Sequence, residues 1–170
     1  MNTKEKTYMM ALAALLLIGL STAWAGYNAT ATISANSIEK FASVSGSGSL
    51  SLSNLKKDVW FSKTVSNVFT ISNVNITSIY VVVGVINMAE LAGKFSSLEL
   101  NVTLKQSGAV KNWDVISLSG GISSVLLNVT GTGNSDDYTV DVCVWGRPTA
   151  TGTVYIKMYC VVEPAGTVGP

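Results

Sequence analysis

The chain has 170 residues, of which 12% are charged, with 11 basic and 10 acidic side chains and no histidine. A chain so close to neutral lacks the basic field that holds nucleic acid or an anionic membrane surface. Without histidine it also lacks the Ser-His and Cys-His nucleophile pairs, histidine zinc and copper sites, and the commonest general base. We therefore expect a protein that is not an enzyme, with no catalytic residue, metal site or cofactor.

The first 25 residues have the three parts of a secretory signal peptide. Lys4 and Lys6 precede an apolar stretch at residues 9–20, and Ala-Trp-Ala at 23–25 matches the small-x-small pattern that signal peptidase cleaves. Cleavage there predicts a secreted, extracellular chain that begins at Gly26. The one apolar run long enough to approach a membrane span is lost with the signal, so no membrane anchor is expected.

Residues 26–37 follow the signal directly and alternate like a half-buried strand. One face carries small, mostly apolar side chains: Tyr27, Ala29, Ala31, Ile33 and Ala35. The opposite face is polar. An alanine-rich face adds little to a core of its own, but it fits a groove on another sheet, which predicts strand addition between subunits with this segment as the donor.

The remainder, residues 38–170, predicts one all-β domain, a sandwich of the jelly-roll type. Strands are expected at 50–55, 59–62, 64–72, 79–86, 98–105, 113–119, 123–130, 138–145 and 153–162. The run 79–86 is almost continuously apolar and predicts a central strand buried on both faces.

One short helix is expected after that central strand. Asn87 is placed to cap it and Glu90 falls at the third helical position. Met88, Leu91 and Phe95 then share one helical face.

Four Asn-x-Thr sequons predict N-glycosylation of an exported chain. Their asparagines are Asn28, Asn75, Asn101 and Asn128. Alternation along the predicted strands turns Asn101 and Asn128 away from the apolar faces, toward solvent. The alternative is that Asn and Thr only form the polar face of a sheet.

Cys143 and Cys160 lie on the last two predicted strands, which we expect to pair as a hairpin. In an exported protein this arrangement predicts a disulfide between them. Direct pairing needs a loop near 149–154, whereas a turn centred on 149–150 leaves the cysteines on one face but out of register. The pattern allows the bond without requiring it, and two buried thiols are the alternative.

Two other groups of side chains could indicate a binding site, for calcium or for sugar, but we favour a structural role for both. Three aspartates could offer oxygen ligands to calcium: Asp136, Asp137 and Asp141. They lack a calcium-loop signature, so a solvated turn is the better interpretation. Three tryptophans could stack on sugar rings: Trp60, Trp113 and Trp145. Their unrelated strand positions instead predict core packing.

The order of features over residues 26–105 resembles the TasA/camelysin type of filament subunit, which includes the bacterial biofilm matrix fibre protein and the archaeal bundling pili. The resemblance rests on the small-residue strand after the signal, on Gly-Ser-Leu-Ser-Leu at 48–52 and on the segment from Lys63 to Val81. This chain departs from the bacterial pattern in its cysteines and sequons. The peptidase label of camelysin is not transferred, because histidine is absent.

The resemblance implies a jelly-roll subunit whose N-terminal strand completes the sheet of the next identical subunit. Its product would be an extracellular homopolymer that serves in cell adhesion or a biofilm matrix. The partners would be identical subunits, with lateral bundling of filaments also possible.

Two alternatives remain open. In a type IV pilin-like subunit, residues 9–25 would be kept as a helix in the filament centre, but Lys6-Thr7-Tyr8 lacks the small residue expected at that cleavage site. In a monomeric secreted binding module, for sugar or a surface-layer partner, residues 26–36 would be disordered or would form a strand paired within the same chain.

Overall fold

The computed structural model describes residues 41–165. The predicted signal peptide at 1–25 and donor strand at 26–37 lie outside this range. So do the residues predicted for the donor interface and the first sequon: Tyr27, Ala29, Ala31, Ile33, Ala35 and Asn28. What the sequence indicates about them stays a prediction.

The described residues form nine strands and one short helix, which we number in chain order. The strands are β1 (Ser43–Gly46), β2 (Ser49–Leu55), β3 (Phe61–Val74), β4 (Ser78–Val85), β5 (Phe95–Gln106), β6 (Ala109–Ser117), β7 (Ser124–Thr130), β8 (Asp136–Pro148) and β9 (Gly152–Pro164). The helix is α1 (Met88–Ala92). Within residues 41–165 no helix is long and apolar enough to cross a membrane.

Two antiparallel sheets pack face to face as a sandwich, which confirms the predicted all-β class with one short helix. The first sheet has the order β1-β3-β8-β5-β6 and the second has the order β2-β9-β4-β7. Strict alternation builds the core: Leu98, Leu100, Val102 and Leu104 of β5 are fully buried, while the residues between them face outward. The outward positions include Asn101, as predicted.

A single long strand, β3, replaces the two strands predicted at 59–62 and 64–72. It crosses two bulges, one between Val65 and Phe69 and one between Ile71 and Val74. Asn67 and Asn73 hold left-handed backbone there, with φ of 54° and 58°. Asparagine tolerates this conformation better than most residues, so the strand can bulge and continue.

The helix and the central strand differ in detail from expectation. The Asn87 side chain does not cap α1; its Nδ2 donates to the Tyr155 carbonyl at 3.0 Å, and its Oδ1 accepts from the Lys157 amide at 2.9 Å. Phe95 opens β5 and is not helical. Strand β4 is internal to its sheet, but Tyr80 on its outer face is only partly buried.

The last two strands do not form a hairpin, and the predicted disulfide is wrong. Strand β8 lies between β3 and β5 in the first sheet, and β9 lies between β2 and β4 in the second, so neither has a free side for the other. Cys143 lies on the outer face of β8, and Cys160 is buried in the core. Both are free thiols.

The two thiols should therefore react very differently. Burial raises the pKa of Cys160 to about 12, so its reactive thiolate is scarce, whereas Cys143 is partly exposed. We expect a thiol reagent to modify only Cys143 in the folded chain and both cysteines after unfolding without reductant. If neither cysteine reacted in protein unfolded without reductant, this expectation would be contradicted and a disulfide between the two cysteines would be indicated.

Candidate assembly interface

The sandwich has two long sides where sheet edges meet, and the two sides are built differently. On one side β6 of the first sheet lies beside β7 of the second, and Asn112 Nδ2 donates to the Asn128 carbonyl at 2.8 Å. On the other side the first sheet ends in β1 and β3, and the second ends in β2. Each side could in principle accept a further strand.

Side chains close the β6 edge against strand addition. The Trp113 amide donates to Asn112 Oδ1 at 2.8 Å, and the Val115 amide donates to Asp114 Oδ1 at 2.7 Å. These N–H groups bond to their neighbours' side chains and not to another strand. Together with the Asn112 bridge to β7, they make this side a poor acceptor.

The opposite side contains an uncovered stretch of backbone. Strand β1 pairs only with residues Phe69–Ser72 of β3. Over the part of the chain that the structure describes, Phe61–Val65 of β3 therefore pairs with β8 on one side and with no strand on the other, and the bulge at residues 66–68 separates this stretch from β1. Strand β2 is likewise paired only with β9. Unpaired strand backbone of this kind is a template for an added strand.

A groove of about 270 Å³ lies between β2 and the start of β3. Leu52 and Leu55 of β2 contribute buried side chains, and Phe61 of β3 is partly buried against the core. Val59 borders the groove with 51% of its surface exposed. Val59 and Phe61 thus offer exposed apolar surface beside unpaired backbone, and the rest of the groove lining is mostly polar.

Lys63 closes part of this opening. It pairs in register with the buried Val144 of β8, so its side chain starts from the inner face of the first sheet. Its Nζ donates to the Ser51 carbonyl of β2 at 2.8 Å. A charged side chain at such a position protects an exposed edge, and an exposed contact of this kind is weak enough to be displaced.

Asp141 holds the first β3 bulge in place. Its Oδ1 accepts from the Asn67 amide at 2.8 Å, and its Oδ2 accepts from Lys105 Nζ at 2.6 Å. Burial by itself raises the pKa of Asp141, but the Lys105 and Asn67 hydrogen bonds outweigh it and keep the pKa below its ordinary value. Asp137 holds the second bulge through the Asn73 amide at 3.0 Å.

The interpretation of the aspartates as a solvated turn is wrong for Asp136 and Asp141, because both are buried in β8. Asp136, the first residue of the strand, orders the turn that precedes it. It accepts hydrogen bonds from the Thr132 and Gly133 amides at 2.6 and 3.0 Å, and from Gln106 Nε2 at 2.8 Å. Burial raises its pKa, but these donors outweigh burial and the net shift is downward. Across residues 41–165, no three Asp, Glu, Cys or His side chains are grouped so that they could hold a metal ion.

The three tryptophans are not in the core, so that prediction is wrong. Trp60, Trp113 and Trp145 are 47%, 58% and 44% exposed. Trp60 and Trp145 stack with ring centroids 4.2 Å apart and planes 13° apart. Alternation could have revealed this: Trp145 lies one residue from the buried Val144, and Trp113 lies three from the buried Ile116, both on the outward parity.

The three sequon asparagines among the described residues lie on strands or turns at the surface. Asn75 is in the turn between β3 and β4, where its Oδ1 accepts from Ser135 Oγ at 3.0 Å. Asn101 and Asn128 point outward from β5 and β7. Their predicted orientation is confirmed, while glycosylation stays a prediction.

Comparison with known proteins adds no relative. No family model matches the chain, and no curated protein is significantly similar to it.

Proposed function

We propose that this chain is the structural subunit of an extracellular filament, in which residues 26–37 of one copy add as a strand to the sheet of the next. The observation that supports this most is the uncovered backbone of Phe61–Val65 beside a groove that contains apolar side chains. At the β6 edge of the same sandwich, by contrast, side chains of Asn112 and Asp114 already bond to the backbone N–H groups that an added strand would need.

The point where the chain enters the sheet favours donation to another copy. The Asn75 amide donates to the Phe41 carbonyl at 2.9 Å, and β1 then runs from its pairing with Ser72 toward its pairing with Phe69. The N-terminal segment is thus attached at the end of β3 that lies farthest from the groove. Phe61 is 11 residues from Ser72, about 37 Å along a strand. The N-terminal segment of the same chain would have to run back over this distance to reach the groove, whereas the segment of a second copy would not.

The proposed donor is long enough for the acceptor and suits it in chemistry. Residues 27–35 would span about 30 Å as a strand, and the regular, uncovered stretch Phe61–Val65 spans about 17 Å. The small side chains of Ala29, Ala31 and Ile33 suit a narrow groove better than large ones would. Backbone hydrogen bonds would supply affinity, and the groove would select the alternate side chains.

We further propose that the sandwich is a jelly roll, as the resemblance to filament subunits implies. Counted from β2 to β9, one sheet takes the first, eighth, third and sixth strands, and the other takes the second, seventh, fourth and fifth. This order supports the two interlocked Greek keys of an eight-stranded jelly roll. Strand β1 is an addition at the β3 edge, in line with the proposed donor.

Donor and acceptor are different surfaces, so the contact is heterologous and repeats without closing. An open polymer follows, with identical subunits as partners and with adhesion or a biofilm matrix as its setting. After signal cleavage nine basic and nine acidic residues remain, and this neutral, Ser- and Thr-rich surface leaves lateral bundling possible.

Electron microscopy, native sizing and N-terminal sequencing of material taken from the surface of producing cells test the proposal. We expect filaments whose subunits begin at Gly26. A monomer under all native conditions would instead support a secreted binding module. Filaments whose subunits retain residues 9–25 would support the pilin-like alternative.

A further inference from the structure

The outer face of the first sheet places one sequon between two exposed tryptophans. Asn101 of β5 lies opposite Val115 of β6 and opposite Cys143 of β8. Trp113 lies two residues from Val115, and Trp145 lies two residues from Cys143. The two tryptophans are therefore diagonal neighbours of Asn101, one on each adjacent strand.

Both indole rings are within reach of a group attached to Asn101. Diagonal neighbours in an antiparallel sheet are about 7–8 Å apart, a distance that aromatic side chains span. Trp113 and Trp145 share the outward face with Asn101, and the stack with Trp60 holds the Trp145 ring in place. Of the three sequon asparagines in residues 41–165, only Asn101 has tryptophans on both sides.

The Asn101 amide is also free for modification. Thr103 Oγ1, from the third residue of the sequon, donates to Asn101 Oδ1 at 3.2 Å. Asn101 Nδ2, the nitrogen that carries sugar in a modified sequon, makes no hydrogen bond to any described residue. Because Thr103 bonds to the oxygen of the Asn101 amide, the nitrogen Nδ2 lies on the other side of the amide group.

We propose that Asn101 carries an N-linked glycan whose first sugars pack against Trp113 and Trp145. One face of a pyranose ring consists of C–H groups, which pack on the flat face of an indole. Such packing would cover apolar surface that otherwise faces water. The inference rests on export of the chain and does not require strand donation.

The modification needs a lipid-phosphate-linked oligosaccharide as the donor. Asn101 Nδ2 forms a bond to the anomeric carbon, and the bond from that carbon to the phosphate oxygen breaks. The phosphate leaves with the electron pair, and the amide nitrogen loses one proton. No oxidant or reductant is required.

Mass spectrometry of protein purified from producing cells tests the attachment. Cleavage after Lys94 and Lys105 releases residues 95–105, which contain Asn101 and no other sequon. We expect this peptide to carry sugar in the natural chain and in Thr103→Ser, and to be bare in Asn101→Gln. A bare peptide from the natural chain would overturn the proposal, whether or not filaments form.

Hydroxyl-radical footprinting tests the packing on the same protein. Removal of the glycan by Asn101→Gln should raise the oxidation of Trp113 and Trp145 severalfold. Tyr155, an exposed ring on the outer face of the other sheet, should be unchanged and serves as an internal control. Equal oxidation of the two tryptophans with and without the glycan would show that the sugars do not pack on them.

Discussion

An Ala31→Asp subunit should be exported and folded but should form no filaments. Ala31 lies in the middle of the apolar face of the predicted donor strand. Insertion of the variant strand would strip a carboxylate of water in a groove whose lining combines Leu52, Leu55 and Phe61 with Lys56 and Lys63. The loss of hydration can exceed what a nearby lysine returns. Such a carboxylate costs at least about 3 kcal/mol, which is more than a hundredfold in affinity at every subunit contact. Sedimentation and electron microscopy of exported material measure the loss.

Thr32→Asp is the matched control, because it adds the same charge one position along. Thr32 lies on the polar face of the predicted strand, where the carboxylate would remain in water. This variant should polymerise nearly as the natural chain does. Equal polymerisation of the two variants, or filaments from a chain that lacks residues 26–36, would show that the N-terminal segment is not the donor.

Periodicity predicted those parts of the fold that depend on one strand at a time. The alternation in β5 and β7 correctly identified which residues face the core and which face solvent. The same two-residue period also placed Trp145 on the outward face, next to the buried Val144. The prediction that this tryptophan packs in the core is wrong, because the alternation of its strand decides its face and outweighs the general preference of large aromatic side chains for burial.

Strand pairing could not be predicted in the same way. Alternation fixes the face on which a residue lies but not which strand lies next to it, so the sequence is equally compatible with a terminal hairpin that brings Cys143 and Cys160 together. In the structure, residues 149–151 link one sheet to the other, and both β8 and β9 are already paired on both sides. The sequence does not predict strand β1, because Ser-Val-Ser-Gly has too few apolar residues to signal a strand.

The candidate acceptor is defined by which strands pair with each other, so it cannot be predicted from the sequence. The groove joins Leu52 to Phe61 across a turn, and its open edge exists because β1 stops at Gly46. The sequence predicts only the donor strand, because a strand of small residues directly after a signal peptide is a local pattern. The β6 edge, guarded by Asn112 and Asp114, likewise becomes recognisable only from its hydrogen bonds.

A Val59→Asp subunit should lose the acceptor function and keep the donor segment. Val59 borders the groove but is half exposed, so the fold of the free subunit should survive the change. An arriving strand would cover the carboxylate, with the same penalty of at least about 3 kcal/mol. Ile86→Asp is the control, because Ile86 is 50% exposed and lies between β4 and α1, outside the groove. Val59→Asp should remain monomeric, and Ile86→Asp should form filaments.

Mixing Val59→Asp with Ala31→Asp separates the two surfaces. The first variant keeps an intact donor and the second keeps an intact acceptor, so one productive contact can form between them. The new pair then presents only a defective donor and a defective acceptor, and growth must stop. We therefore expect a one-to-one dimer by native sizing, although neither variant associates alone. If Val59→Asp polymerises as Ile86→Asp does, or if the mixture stays monomeric while both chains are folded, the groove between β2 and β3 is not where the strand binds.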